Sequence, residues 1–259
     1  MPIRIARYGW KPDLPDHRDQ MYTPPVALGA APLPHKVDLS PKCPKTIYDQ
    51  GQLGSCTANA IAAAFEFDLL RQGAKDFMPS RLFIYYNERV MEGTVREDAG
   101  AMIRDGIKSI KTLGVATEKS WPYSDANPGT FQEKPPAAIY QAALSHQVTS
   151  YLRIARSLRS MKACLASGFP FVFGFTVYEG FESPAVAKSG EVQLPGAHES
   201  AIGGHAVLAV GYDDATQRFL VRNSWGHDWG KAGYFTMPYA YLLDGDLADD
   251  FWTVRAVEG

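Results

Sequence analysis

The stretch from Asp49 to Leu70 constrains this chain more than any other. A glycine-rich turn, Asp49-Gln50-Gly51-Gln52-Leu53-Gly54-Ser55, delivers Cys56 to the start of an apolar run that lasts from Ala58 to Leu70. Ala58, Ile61, Ala62, Phe65 and Leu69 recur at the spacing of one helix face. The other side carries Ala60, Ala63, Ala64 and Phe67. A helix apolar nearly all round has to be buried, so the rest of the chain must pack around it. Ser55 stands where an N-cap belongs, which puts Cys56 in the first turn. Unpaired backbone N–H groups and the positive end of the helix dipole favour a thiolate at that position. A lone cysteine in an alanine-rich helix is by default a small buried hydrophobe. Its partners elsewhere in the chain decide between the two readings.

Two such partners stand downstream. His205 follows Cys56 by 149 residues (205 − 56), in the string Gly203-Gly204-His205-Ala206-Val207 that opens a strand-like run. Asn223 follows 18 residues later, in Arg222-Asn223-Ser224-Trp225-Gly226. A cysteine, with histidine and asparagine about 130–150 residues on, is a chain order used for nucleophilic catalysis by a thiol. The local strings agree with the order. Gln50-Gly51 with Gly54-Ser55-Cys56 resembles the Gln-Gly-x-x-Gly-Ser-Cys block of the papain-like cysteine peptidases. Asn223-Ser224-Trp225-Gly226, with Trp229-Gly230 and Gly233-Tyr234, resembles the block around that family's asparagine. The chain is similar to the family, in its bacterial form, from about Leu33 to Tyr239.

The resemblance implies an α+β papain-like fold with an active-site cleft between two lobes. Residues 33–259 would form the catalytic domain, with a helical lobe at roughly 45–130 and an antiparallel β-barrel or sheet lobe at roughly 135–259. It implies a cysteine endopeptidase with a Cys-His-Asn triad and a thioester acyl-enzyme. Cys56 would be the nucleophile, His205 its base, and Asn223 the group that orients the imidazole behind a shield of Trp225. The Gln50 side chain and the Cys56 backbone N–H would form the oxyanion hole. Gly100 and Ala101 fall on the strip that pairs with substrate backbone. Met102, Gly204 and Ala206 fall beside the pocket for the second residue before the cleaved bond, and favour Leu, Val or Phe there over Arg, Asp or Glu. No metal and no organic cofactor are implied. The same triad could instead serve an acyltransferase or transglutaminase-like enzyme, and the same fold a non-catalytic binding module. The chain departs from the pattern at Thr57, where tryptophan is usual, at Leu53, where a disulfide cysteine is usual, and at Gly204, where many relatives carry a polar residue.

Composition bounds the partners. With 46% hydrophobic residues and a net charge of −2, the chain reads as a soluble globular protein with no electrostatic case for nucleic acid. No apolar segment reaches the ~20 residues of a membrane span. The expected partners are protein or peptide substrates, with no nucleic acid, no membrane and a monomeric state. Three cysteines, Cys43, Cys56 and Cys164, are too few for a disulfide scaffold. Met1 to Arg7 carries no apolar core of a secretion signal, so the expected location is the cytoplasm, or outside by a leaderless route.

Residues 1–32 precede the recognisable catalytic region and are rich in proline and charge. They read as an extended extension that acts as an inhibitory pro-segment, with Tyr8, Trp10 and Leu14 as anchors; the alternative is a strap on the back of the β lobe. A helix carrying Ile154, Leu158, Met161 and Leu165 on one face is expected, with Arg153, Arg156, Arg159 and Lys162 as a solvated basic stripe. Asp244, Asp246, Asp249 and Asp250 lack metal-loop spacing and read as solvated surface.

Overall fold

The computed structural model describes residues 8–26, 28, 32–126 and 130–258. The basic start at Met1 to Arg7 lies outside the described residues, as do parts of the extension and of the junction between the lobes.

The buried helix predicted around Cys56 is α1, Cys56–Gln72, and every residue from Cys56 to Leu69 is buried. Burying Phe65 and Phe67 contributes about 1.5–3 kcal/mol each, which ties the helix to the centre of the molecule. It ends at Gly73, whose left-handed φ of 69° lets its N–H close on Leu69 and Leu70. Helix α2 (Arg81–Glu92) begins at Ser80, whose hydroxyl accepts from the Phe83 N–H. Helix α3 (Ile103–Leu113) completes the helical lobe. The start of α1 differs from expectation in one detail. Ser55 occupies the cap position but makes no capping bond; its hydroxyl lies 2.6 Å from Tyr123 Oη instead. Tertiary contact has taken over the side chain that the sequence assigned to the helix.

The other lobe is one antiparallel sheet. Strands β1 (Lys36–Asp38), β2 (Val148–Arg153), β3 (Phe171–Tyr178), β4 (Ala201–Asp213), β5 (Arg218–Arg222), β6 (Tyr234–Pro238) and β7 (Ala248–Val257) run in the order β2-β7-β3-β4-β5-β6, with β1 paired to β4. It is an open sheet, one of the two forms expected. Short helices α4 (Ala137–Ala143), α5 (Leu158–Ala166), α6 (Pro184–Ser189) and α7 (Tyr239–Leu243) flank it. The helix expected from Ile154 starts only at Leu158, because Arg153 ends β2. The basic stripe is correspondingly no stripe: Arg153 pairs with Asp19 and Asp250, Arg156 with Asp249, and Lys162 with Asp214. Among the described residues no helix is long and apolar enough to cross a membrane. All three cysteines are free and buried.

The register of the sheet decides what faces what. Phe175 lies opposite His205 and Gly174 opposite Ala206, so β3 backs the histidine strand from Ala201 to Ala209. Arg222 lies opposite Leu208, which puts Asn223 just past the end of β5 and within reach of His205.

Candidate active site

Three separate stretches meet at the front of α1. The loop before it is stitched to the stretch after β5: Gln50 N–H donates to the Ser224 carbonyl at 2.9 Å, and Gly226 N–H to that of Tyr48 at 2.9 Å. That pairing brings Gln50 beside Asn223. His205 Nε2 lies 2.8 Å from Asn223 Oδ1, which also accepts the Ser224 N–H at 2.9 Å. An oxygen that accepts on this side requires the ring proton on Nε2, and the neutral ring then carries a bare Nδ1. That nitrogen is buried and, among the described residues, has no hydrogen-bond partner. The ring is boxed by Trp225 at 5.0 Å, Phe175 at 5.7 Å, Tyr8 at 6.0 Å and Phe181 at 6.3 Å between centroids. Sequence reasoning named Trp225 and missed the two phenylalanines, which carry no motif and are recognised only by their place on β3 and in the loop after it.

Gln50 is fully buried and held at both ends of its amide. Nε2 donates to the Leu53 carbonyl at 2.9 Å, and Oε1 accepts from the Ser224 hydroxyl at 2.9 Å. An amide nitrogen has two donors, so one remains beyond the Leu53 bond.

The expected primed thiolate is not what this conformation holds. Cys56 is wholly buried, and burial pushes its thiol up to about 12; backbone N–H groups of Ala206, Gly9 and Thr57 offset this only in part. Burial likewise pushes His205 down to about 4, against the smaller pull of Asn223 in the other direction. Both shifts favour the neutral forms. Desolvation outweighs the helix terminus because the site is covered.

The cover is the N-terminal extension. Trp10 N–H donates to the Gly204 carbonyl at 2.9 Å, Lys11 N–H to Ala101 at 3.0 Å, and Ala101 N–H to the Gly9 carbonyl at 2.7 Å. The segment thus pairs with Ala101 in the parallel sense. The backbones touch so closely that side chains are excluded. A Cβ on Gly9 would lie 1.6 Å from the Gly54 carbonyl oxygen, and one on Gly100 would lie 2.1 Å from that of Gly9. Of the anchors named from sequence, Tyr8 reaches Glu182 Oε1 at 2.5 Å and Trp10 reaches Asp250. Leu14 is 67% exposed and anchors only through its carbonyl, which accepts from Arg104.

The positions expected beside the pocket fall into place unevenly. Gly204 and Ala206 lie on β4, and Met102 is half-buried with its N–H on Glu92 Oε1 at 2.7 Å. Asp250, expected on solvated surface, is 1% exposed and takes Trp10 Nε1–H, Asp13 N–H and Arg153. Its position within β7 buries it, which spacing among acidic residues could not reveal. Thr57 fills its unusual place by donating to the buried Glu88 at 2.7 Å.

A family model described as papain family cysteine protease matches residues 33–242. The uncharacterized peptidase C1-like protein L477 of Acanthamoeba polyphaga mimivirus is 49% identical over 218 residues, 81% of this chain and 69% of that protein. Cathepsin B-like CP3 of Giardia intestinalis is 28% identical over 84% of this chain and 73% of its own. Among solved structures, xylellain, a cysteine protease from Xylella fastidiosa, is 48% identical and superposes with a TM-score of 0.91 over 96% of both chains. Procathepsin B S9 from Trypanosoma congolense, 18% identical, shares the fold with a TM-score of 0.76 over 97% of this chain and 86% of that one.

Proposed function

Because the chain belongs to the papain family of cysteine proteases, we propose that it is an endopeptidase with Cys56 as nucleophile, held shut by its own N-terminal segment. One observation carries both halves. Gly9 N–H and Ala206 N–H both donate to the Cys56 sulfur, and the residue before Ala206, His205, has its Nε2 tied to Asn223.

Removing the segment readmits water. Desolvation is the first cause of both shifts, so the thiol falls and the imidazole rises, and a thiolate–imidazolium pair forms at the helix terminus. The thiolate attacks the substrate carbonyl carbon. The developing oxyanion accepts from the Cys56 N–H and from the second N–H of Gln50, and losing one such donor costs about 10²–10³ in rate. His205 hands its proton from Nδ1 to the leaving amine, and water then hydrolyses the thioester with the same nitrogen as base. Asn223 keeps the ring in one orientation throughout.

The geometry also accounts for why the segment survives. What faces the sulfur is the Gly9 N–H, and the Gly9 carbonyl is turned away to Ala101. A carbonyl held there cannot enter the oxyanion hole. Tethering gives the segment a roughly millimolar effective concentration, so modest contacts keep the groove filled.

The test uses the full-length chain with Gly9→Val, whose added carbons meet the Gly54 carbonyl. Its rate on a fluorogenic peptide is expected to exceed that of the native chain by about tenfold or more, as releasing a tethered ligand requires. Cys56→Ser in the same background should abolish turnover. A folded Gly9→Val chain that is no faster removes the inhibitor; turnover without Cys56 removes the nucleophile. Incorporation of a primary amine into casein in place of hydrolysis would move the reading to acyl transfer.

A further inference from the structure

Thr57 stands beside the nucleophile where tryptophan is usual, and behind it lies a buried acid. It is the second residue of α1, and its N–H faces the Cys56 sulfur. Its hydroxyl donates to Glu88 Oε1 on α2 at 2.7 Å. Both side chains are fully buried. Glu88 Oε2 is buried as well and, among the described residues, has no hydrogen-bond partner. It points at Gly106 inside α3, where a Cβ would lie 2.6 Å from Oε2 and 2.4 Å from Ile61 Cδ1. Glycine inside a helix lowers its stability. Here it makes the room that the carboxyl occupies.

The first N–H groups of a helix have no partner within it, so its first turn needs another hold. The usual one is absent, because the Ser55 hydroxyl lies against Tyr123 and makes no capping bond. Thr57 supplies a different one, a side chain of the turn anchored on the neighbouring helix. That turn carries the Cys56 sulfur, the Cys56 N–H assigned to the oxyanion, and the Thr57 N–H. We propose that Glu88 is a positioning residue for the nucleophile: by gripping the Thr57 hydroxyl it fixes the turn whose N–H groups serve the sulfur and the developing oxyanion. The proposal rests on the peptidase reading above, because it gives the turn its work in attack by Cys56.

The grip helps attack only while the carboxyl is uncharged. Burial is the main cause that raises the Cys56 thiol, and a charge on Glu88 adds to it. Glu88 is itself kept protonated well above the ordinary carboxylate range, by burial first. The Thr57 bond and Arg89 oppose that shift, while Glu92 on the same helix and Asp105 on α3 reinforce it. A protonated carboxyl with its proton on Oε2 still offers Oε1 as an acceptor. Thr57 is then held without a negative charge behind the thiolate. A neutral amide at position 88 meets the same two requirements, and an alkyl or thioether side chain does not.

The experiment adds Thr57→Val, which keeps the shape and removes the hydroxyl, or Thr57→Ser, which keeps the hydroxyl, to the full-length Gly9→Val chain. Each chain is assayed for kcat and KM on a fluorogenic peptide. The pH dependence of Cys56 alkylation by iodoacetamide reads the thiolate without turnover. Thr57→Val is expected to lower kcat about tenfold or more with KM little changed, as for a small misplacement of reacting groups. Its alkylation profile should move to higher pH, and Thr57→Ser should restore both. Glu88→Gln should behave as Thr57→Ser does, and Glu88→Met as Thr57→Val does. Combining Glu88→Met with Thr57→Val should cost no more than either alone, as for two ends of one interaction. A folded Thr57→Val chain with unchanged kcat and an unmoved alkylation profile overturns the proposal, and it decides even where Glu88→Met fails to fold. Additive losses in the double variant overturn it too, since Glu88 then acts by another route. A chain whose Cys56 alkylation depends on the Thr57 hydroxyl yet which cleaves no peptide upholds this assignment and refutes the peptidase reading.

Discussion

At the scale of single residues, Asn223 matters through the ring it holds. Its Oδ1 fixes the proton on His205 Nε2, which leaves Nδ1 as the nitrogen that would act as base in the proposed mechanism, and the same bond raises the imidazole pKa against the pull of burial. Asn223→Ala in the Gly9→Val background removes both effects. The expected outcome is a kcat lower by about 10–10²-fold with KM little changed, the size typical of losing a group that orients a catalytic ligand. The alkaline limb of kcat/KM should move to lower pH, since that limb reports loss of the imidazolium proton. An unchanged limb would mean that Asn223 merely fills space. The two other cysteines differ from Cys56 in surroundings rather than burial. Cys43 and Cys164 are pushed up to about 11 by burial, and neither stands in the first turn of a helix as Cys56 does.

At the scale of elements, the N-terminal segment is latched by charge as well as by backbone pairing. The Asp13 carboxyl accepts from Arg104 N–H at 3.1 Å and from Trp252 Nε1 at 2.8 Å, and its backbone donates to Asp250. Burial first, and then the Asp250 carboxylate, raise Asp13 from 3.8 to about 7; the Trp252 hydrogen bond, and after it Arg104, oppose this. Arg153 and Arg104 both pair with Asp19, Arg104 and Lys108 also face Asp16, and Lys11 pairs with Glu92. The docked state thus keeps a proton that the released state gives up. Docking is fully supported below the ordinary carboxylate range and weakens as pH rises towards 7, by at most about tenfold per pH unit. The activity of the native chain, divided by that of Gly9→Val, should therefore rise between pH 5 and pH 8, and Asp13→Asn should flatten the rise. A ratio that falls with pH would show that other groups control the latch.

At the scale of the whole molecule, buried acids outnumber the buried histidine that opposes them. Burial raises Glu66 to about 7, Asp68 to about 6 and Glu88 well above its usual value, while His205 is lowered to about 4. Raised acids stabilise the fold at low pH and lose that contribution as pH climbs through their raised values; His205 works the other way between about 4 and 6.5. Thermal melts should give a higher Tm at pH 5.5 than at pH 8, and Glu88→Gln should shrink the difference. A higher Tm at pH 8 would contradict the balance. The sequence by itself determined the buried helix at Cys56 and the strand Phe171–Tyr178, and its motifs picked out His205 and Asn223, which the structure joins by a hydrogen bond, because periodicity and motif strings are local properties of the chain. It also marked the extension as proline-rich and irregular, and residues 8–25 carry no helix, since proline and charge disfavour one there. Only the tertiary structure decided that Asp250 is buried against Trp10 and that Phe175 and Phe181 box the imidazole. Packing likewise gave the Ser55 hydroxyl to Tyr123 rather than to its helix, and buried the Cys56 thiol so that its pKa is pushed up. Burial and desolvation depend on what distant parts of the chain bring together, and no local pattern in the sequence records them.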